Sequence, residues 1–260
     1  MINKIIHFSD LHLRLFKEHE RYRATLEKCL EKWKEEKPDR IVFTGDLVHS
    51  KNQMSPELIN MVSWILKACA DISKTIILIG NHDFVENNQE RLDALSPIIE
   101  NLNNKNIVYY KETGAYVDDN VVWCVYSLVD HNKKPTFNKK EDLHYIGLFH
   151  GTIEGSTTDL GFFFEAGYSL DRFDGLDVVL AGDIHKRQVY DIKGGNKAYM
   201  VGSLLQQNFG ETITNHGYGV YEVDTNTYNF IDVKSTAPYL NFKIKDITDI
   251  ENGKEKLTNL

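Results

Sequence analysis

Apolar residues recur along this chain in two rhythms, and the rhythm changes part-way. Residues 4–8 (Lys-Ile-Ile-His-Phe), 40–44 (Arg-Ile-Val-Phe-Thr) and 75–79 (Thr-Ile-Ile-Leu-Ile) are short continuous apolar runs, the pattern of strands covered on both faces. Between the first two, Tyr22, Leu26, Cys29, Leu30 and Trp33 recur at spacings of three and four. That spacing predicts an amphipathic helix over 18–37, stopped at Pro38. Ser55-Pro56 supplies an N-cap followed by proline in the first turn, so a second helix is predicted from there to about Ile72. Residues 92–103 predict a third helix and Ile107–Tyr110 a strand. Alternation of strand and helix predicts parallel pairing through right-handed crossovers.

Beyond this half, hairpins take over. Tyr116–Val122 predicts one turning at Asp118–Asn120. A second joins Gln188–Ile192 to Lys197–Val201 through Gly194-Gly195-Asn196, and a third joins Gly219–Val223 to Tyr228–Val233. Tyr145–Phe149 and Val178–Ala181 are again buried-strand runs, and 131–142 reads as a loop. An α/β fold of two mixed sheets packed face to face, with helices outside, accommodates this order. Tyr239–Ile244 alternates like a strand, and 246–260 reads as the start of an element that simply ends. The expectation is one domain over 1–235, followed over 236–260 by the beginning of a second one cut from a longer protein.

Composition narrows the class. With 260 residues, 42% hydrophobic and 26% charged, the chain can bury one sizeable core. No run approaches the ~18 apolar residues of a membrane span. The N-terminus lacks the basic and apolar regions of a signal peptide. The three scattered cysteines read as free thiols, so a cytoplasmic location and no membrane partner are expected. A net charge of −8 argues against a strong unaided grip on duplex nucleic acid.

Five segments at predicted strand ends carry the chemistry: Asp10-Leu11-His12, Gly45-Asp46, Gly80-Asn81-His82-Asp83, Phe149-His150-Gly151 and Gly182-Asp183-Ile184-His185. Their donors are carboxylates, imidazoles and one amide, with no cysteine, which suits Mn²⁺, Mg²⁺, Fe²⁺ or Zn²⁺. Two such ions about 3.5–4 Å apart serve displacement at phosphorus, so the set reads as a phosphoesterase. Asp10 and His12, two apart, share a side if strand geometry continues past the strand end, and Asp183 and His185 repeat that spacing. Asp46 is the candidate to bridge both ions, and Asn81 offers a neutral oxygen. His82 can serve as general acid or stabilise charge on phosphate. Asp83 can accept a hydrogen bond from the His82 ring and set its tautomer. His49, three residues after Asp46, can face the same cleft. Plainer readings stand beside these: a turn-forming aspartate, a loop histidine at 49, a core histidine at 150. His7, His19, His131, His144 and His216 lack comparable context and read as structural or exposed.

Taken in order, the segments DxH, GD, GNHD, H and GDxH resemble the calcineurin-like metallophosphoesterase family over about residues 3–235. The resemblance implies a four-layer αββα sandwich with the site at the strand ends. It implies one metal on Asp10, His12, Asp46 and His185, a second on Asp46, Asn81, His150 and Asp183, and His82 as the catalytic histidine. Asp183 stands where the family signature has histidine, which swaps a neutral ligand for an anion and favours a harder ion such as Mn²⁺. Within the family, His-Phe-Ser-Asp-Leu-His at 7–12, His49, GDIHKRQ at 182–188, Val201-Gly202-Ser203, Phe209-Gly210-Glu211 and His216-Gly217 resemble the SbcD-type DNA repair nucleases. That similarity implies DNA as substrate, an SbcC-type ATPase as partner and a homodimer formed through helices 18–37 and 55–72. A protein phosphatase or nucleotide phosphodiesterase on the same fold is the alternative, and a non-catalytic scaffold a more distant one.

Overall fold

A computed structural model describes residues 1–88, 90–241, 246 and 248–250. The first half alternates as the pattern predicts: β1 (Lys4–Phe8), α1 (His19–Glu36), β2 (Arg40–Phe43), α2 (Pro56–Ile72), β3 (Lys74–Leu78), α3 (Ser96–Leu102) and β4 (Ile107–Tyr110). There follow β5 (Gly114–Asp118), β6 (Val121–Tyr126), β7 (His144–His150), a 3₁₀ turn (Leu170–Phe173), β8 (Val178–Gly182), β9 (Gln188–Asp191), β10 (Lys197–Met200), β11 (Gly217–Glu222) and β12 (Thr227–Asp232).

The strands form two six-stranded mixed sheets, ordered β12-β11-β1-β2-β3-β4 and β5-β6-β7-β8-β10-β9. In the first, β1 to β4 run parallel and β11 and β12 close one edge antiparallel. In the second, β6, β7, β8 and β10 run parallel, with β5 and β9 antiparallel at the edges. Ile5, Val42, Ile76 and Leu78 of the first sheet meet Trp123, Ile146, Leu148 and Leu180 of the second in a buried layer between them. The other face of the first sheet packs Phe8, Phe43 and Ile77 against Trp33, Leu26, Ile65 and Val62 of α1 and α2. The outer layer of the second sheet comes from Phe173 of the 3₁₀ turn and from the loop residues Ile153 and Leu176. This is the α/β two-sheet architecture expected from the pattern, with that outer layer supplied by loops and a short turn.

Helix α3 is shorter than the predicted 92–103. Asp93 accepts hydrogen bonds from the Leu95 and Ser96 N–H groups (3.0 and 2.7 Å), so a capping turn occupies residues where periodicity suggested helix. α2 begins as predicted, its first turn capped by Ser55 Oγ accepting from Leu58 N–H at 3.2 Å. Of the strand expected over Tyr239–Ile244, residues 239–241 are described and are not a strand, while 242–244, like most of the second domain expected over 236–260, lie outside the described residues. Residues up to 241 return to the main body: Tyr239 N–H donates to Gln206 Oε1 at 2.8 Å, and its ring lies 4.7 Å from that of Phe209. No described helix is long and apolar enough to cross a membrane, and Cys29, Cys69 and Cys124 are buried free thiols.

His7, fully buried on β1, bridges Tyr228 Oη (2.8 Å) and Thr44 Oγ1 (2.9 Å). Burial pushes its pKa down to about 3. The unfolded chain therefore takes up a proton near pH 6.5 that the folded chain refuses until about pH 3. The contribution of neutral His7 is present above pH 6.5 and declines as pH falls through that window. At pH 5 the loss is on the order of 2 kcal/mol. Thermal unfolding of His7→Gln should show a correspondingly smaller drop in stability between pH 7 and pH 5 than the parent chain. Equal drops would show that His7 does not titrate in this way.

Candidate metal centre at the strand ends

All five chemistry-bearing segments leave the carboxyl ends of β1, β2, β3, β7 and β8, where parallel strands deliver their following loops to one edge. The loops are laced together by main-chain bonds. Asp10 N–H reaches Gly45 O at 3.1 Å, His12 N–H reaches Asp46 O at 2.9 Å, and His49 N–H reaches Leu13 O at 2.9 Å.

The backbone is not extended there. Asp10 (φ 54°), His12 (φ 46°), Asp46 (φ 63°) and Asp183 (φ 103°) all lie on the left-handed side. Asp10 and His12 therefore do not meet by continuing the strand, as the two-residue spacing suggested; a sharp left-handed turn aims them. Such conformations cost of order 1–3 kcal/mol each and collect at functional sites. Gly45 (φ 98°) is required on two counts, since a Cβ there would overlap the His150 ring and crowd Gly80. At Gly80 a Cβ would overlap the Asp46 backbone and carboxylate.

The structure brings six of the seven metal-ligand candidates named from the sequence close to one another: Asp10, His12, Asp46, His150, Asp183 and His185. Asp10, His12 and His185 offer donor atoms within 4.8 Å of one another, as do Asp10, Asp46 and His150. His12 Nε2 lies 3.0 Å from His185 Nε2, 3.4 Å from Asp46 Oδ2 and 3.9 Å from Asp10 Oδ1. Two imidazole lone pairs so close repel unless a proton or a cation lies between them. On the other side, His150 Nε2 is 3.4 Å from Asp46 Oδ1 and 3.8 Å from Asp183 Oδ1. The two oxygens of Asp46 thus face two different ligand sets.

Orphaned atoms test the fit. His150 Nε2 and Asn81 Oδ1 are buried with no hydrogen-bond partner among the described residues. Buried polar atoms are rarely left that way, and both are acceptors of the kind a divalent ion takes. The residues present fit two such ions. Charge balance agrees: burial pushes Asp10 up to about 6, and burial together with the Asp46 charge pushes Asp83 up to about 7. Burial also opposes ionisation of Asp46, but His150 outweighs it and holds Asp46 well below the usual range. Burial likewise opposes a charge on His150, and Asp46 outweighs it to raise the His150 pKa. Buried carboxylates at this density call for cations.

The supporting contacts were mostly invisible in the sequence. His150 Nδ1 donates to Thr44 O at 2.6 Å, which turns Nε2 inward. Glu211 Oε1 accepts from His185 Nδ1 at 2.8 Å and from Asn208 Nδ2 at 2.8 Å, while its Oε2 accepts from Gln207 N–H at 2.7 Å. Thr152 Oγ1 donates to Asp183 Oδ2 at 2.8 Å, leaving Oδ1 toward His150. Asp183 N–H in turn donates to the Asp10 carboxylate at 3.2 Å.

One expected role changes. The His82 ring is set by the His49 carbonyl, which accepts from Nδ1 at 2.7 Å, and not by Asp83. Asp83 is fully buried, and its carboxylate accepts from the N–H groups of Gly80 (2.9 Å), Asp46 (3.0 Å), Leu47 (3.1 Å) and Val48 (3.2 Å). It tethers the Asp46 loop to the Asn81 loop, a backbone task that takes up its oxygens. His49 keeps its place beside the cleft, its ring 5.8 Å from His82 and 5.9 Å from His12.

Residues 3–187 match the calcineurin-like phosphoesterase family. The chain belongs to that family. Its members are hydrolases that use divalent metals, in keeping with the cluster described above. Among relatives, this phosphoesterase chain is 34% identical over 264 residues to the uncharacterized protein R555 of Acanthamoeba polyphaga mimivirus, matching 96% of this chain and 19% of the viral protein. It is 25% identical over 283 residues to the DNA double-strand break repair protein Mre11 of Methanococcus maripaludis, matching 99% of this chain and 74% of that protein. The chain thus spans about a fifth of the viral relative and about three-quarters of the archaeal one. A crystal structure of Pseudomonas putida nuclease MPE aligns with a TM-score of 0.36 and 13% identity, over 86% of this chain and 85% of that one.

Proposed function

We propose that this phosphoesterase is a Mn²⁺-dependent DNA nuclease, the catalytic subunit of an SbcCD-like repair or recombination assembly. The observation that carries the phosphodiesterase reading is the pair of ligand sets around Asp46, with Asn81 Oδ1 and His150 Nε2 left as buried acceptors. DNA as the substrate is supported by 25% identity to the archaeal Mre11 protein along almost the whole chain and by the motif resemblance.

Ions held by Asp10, His12, Asp46 and His185, and by Asp46, Asn81, His150 and Asp183, would supply positive charge to the phosphate oxygens and lower the pKa of water at the site. The chain's own contribution is orientation. The His82 backbone N–H donates to Asp46 Oδ1 at 2.8 Å and its ring Nδ1 donates to His49 O, so Nε2 is the nitrogen left free; in the doubly protonated ring it would pass its proton to the departing sugar oxygen while Nδ1–H keeps the His49 bond. His49 acts through its carbonyl as a positioning residue. Lys51 Nζ donates to Asn81 O at 2.9 Å and fixes the loop that carries both Asn81 and His82.

The net charge of −8 argues against a strong unaided grip on duplex DNA, which supports a contribution from outside this domain. We assign it to an SbcC-type ATPase subunit, to a DNA-contacting domain from residue 236 onward, and to a homodimer formed through α1 and α2. The deciding experiment is Mn²⁺-dependent cleavage of end-labelled single- and double-stranded DNA beside bis-p-nitrophenyl phosphate. Cleavage of DNA that stops on chelation supports the proposal. Turnover of phosphopeptide or cyclic nucleotide with none of DNA would replace it with the phosphatase or nucleotide phosphodiesterase reading.

A further inference from the structure

Between β7 and the 3₁₀ turn, residues 152–168 fold back as an irregular hairpin. It closes through Tyr168 N–H to Thr152 O (2.8 Å), Phe164 N–H to Ser156 O (2.9 Å) and Thr158 N–H to Phe162 O (2.9 Å). The hairpin is anchored at three heights. Its base donates from Thr152 to Asp183, its middle is held by Thr157 N–H to Gln188 Oε1 at 2.7 Å, and at its tip Asp159 Oδ2 accepts from Thr212 N–H at 3.0 Å. Yet the tip presents apolar surface to solvent: Leu160 is 79% exposed, Phe162 60% and Phe163 54%. A braced loop that holds phenylalanines outward is built to meet something.

Beside it lies an open cavity of about 510 Å³, lined by Leu160, Phe162 and Phe164 of the hairpin and by Asn208 and Glu211. Asp183 and His185 of the metal centre also line it. The Phe162 and Phe164 rings meet edge to face at 4.8 Å, a preformed aromatic corner. Among the described residues Lys186 is the only lysine or arginine lining the cavity, and its ammonium donates to Thr157 Oγ1 at 2.9 Å, while Asp159, Asp183 and Glu211 add acids. A run of phosphates finds little to hold it there. A flat, weakly polar group attached to a phosphate at Asp183 and His185 fits well.

We propose that this cavity receives an unpaired nucleobase next to the scissile phosphate, stacked face to face on Phe162 with Phe164 meeting it edge-on; this rests on the phosphodiesterase reading of the site. Bases inside a duplex present no free face, so the pocket makes the enzyme select single-stranded or frayed ends. Stacking tolerates any base because every base has a π-face.

The test uses small esters, so that it does not depend on DNA cleavage. The kcat/KM for thymidine 5′-p-nitrophenyl phosphate is divided by that for methyl p-nitrophenyl phosphate, which has no base, in the parent chain and in Phe162→Ala and Phe162→Trp. The expected result is a ratio well above one in the parent, about thirtyfold lower in Phe162→Ala, the mid-range for a stacked base, and restored in Phe162→Trp. A parent ratio near one overturns the proposal. So does an equal fall on both esters in Phe162→Ala, which would mark Phe162 as structural. If DNA resists cleavage while the ratio behaves as expected, the base pocket stands and the nuclease reading falls. If the ratio is flat while DNA is cut, the nuclease reading stands and the hairpin has another partner, such as a protein.

Discussion

Replacing His82 with alanine is expected to lower phosphodiester turnover by about 10²- to 10⁴-fold, the range for loss of a positioned general acid, while two divalent ions remain bound. The side chain belongs to neither ligand set proposed above; its Nδ1 bonds the His49 carbonyl, its backbone N–H bonds Asp46, and its ring meets the His12 ring edge to face at 4.6 Å. Removing the ring leaves that backbone bond in place, so the Asp46 loop has no reason to move. The half-buried ring also fills little of the core, and folding should survive. Turnover of bis-p-nitrophenyl phosphate with excess Mn²⁺, alongside the metal stoichiometry of the purified variant, separates the two effects. A kcat within a few-fold of the parent with both ions bound would remove His82 from the chemistry.

Asp46→Asn should be more damaging, and for a different reason. The two oxygens of Asp46 sit 3.4 Å from His12 Nε2 and 3.4 Å from His150 Nε2, so one carboxylate serves both halves of the site. Asparagine keeps the volume and can keep the bond from His82 N–H, but it removes the charge between two cations and points an N–H at one of them. The metal content should fall from two ions to one or none. Turnover should drop by at least about 10³-fold, because the lost charge stabilisation amounts to several kcal/mol of barrier. Far-UV circular dichroism should be unchanged. Two ions retained with activity within about tenfold of the parent would show that Asp46 does not bridge.

How much could be read beforehand differs from element to element. β1, β2, β3, β7 and β8 were legible because parallel strands sandwiched between layers must be apolar throughout, and α1 and α2 because each buries a single stripe. α3 was overestimated because Asp93 competes for the N–H groups of its first turn. The 152–168 hairpin was not legible, since it holds together by scattered bonds and two isolated bridges, and neither strand nor helix periodicity marks it.

Within the site, the donor residues were legible in the sequence and their holders were not. Asp10, Asp46, Asn81, His150, Asp183 and His185 stood out because a glycine or a short polar pattern follows a buried strand. Glu211, 26 residues from the His185 ring it orients, carried no local signal of that task. The His49 and Thr44 carbonyls had none at all, because every residue has a carbonyl. Asp83 looked like a partner for His82, yet four nearby N–H groups claim it. A carboxylate in a dry interior binds the donors that the folded backbone presents, and sequence proximity does not list them.

The sequence by itself determined the family, the parallel strand core and which side chains are candidates to take metal, because each depends on residue type and short-range order. The tertiary structure alone decided how those side chains face one another. It set the left-handed turns at Asp10, His12, Asp46 and Asp183 and chose which nitrogen of His82 and His150 is left free. It also placed an aromatic hairpin beside the centre. Those outcomes depend on contacts between loops far apart in the chain, whose geometry exists only once both sheets have packed.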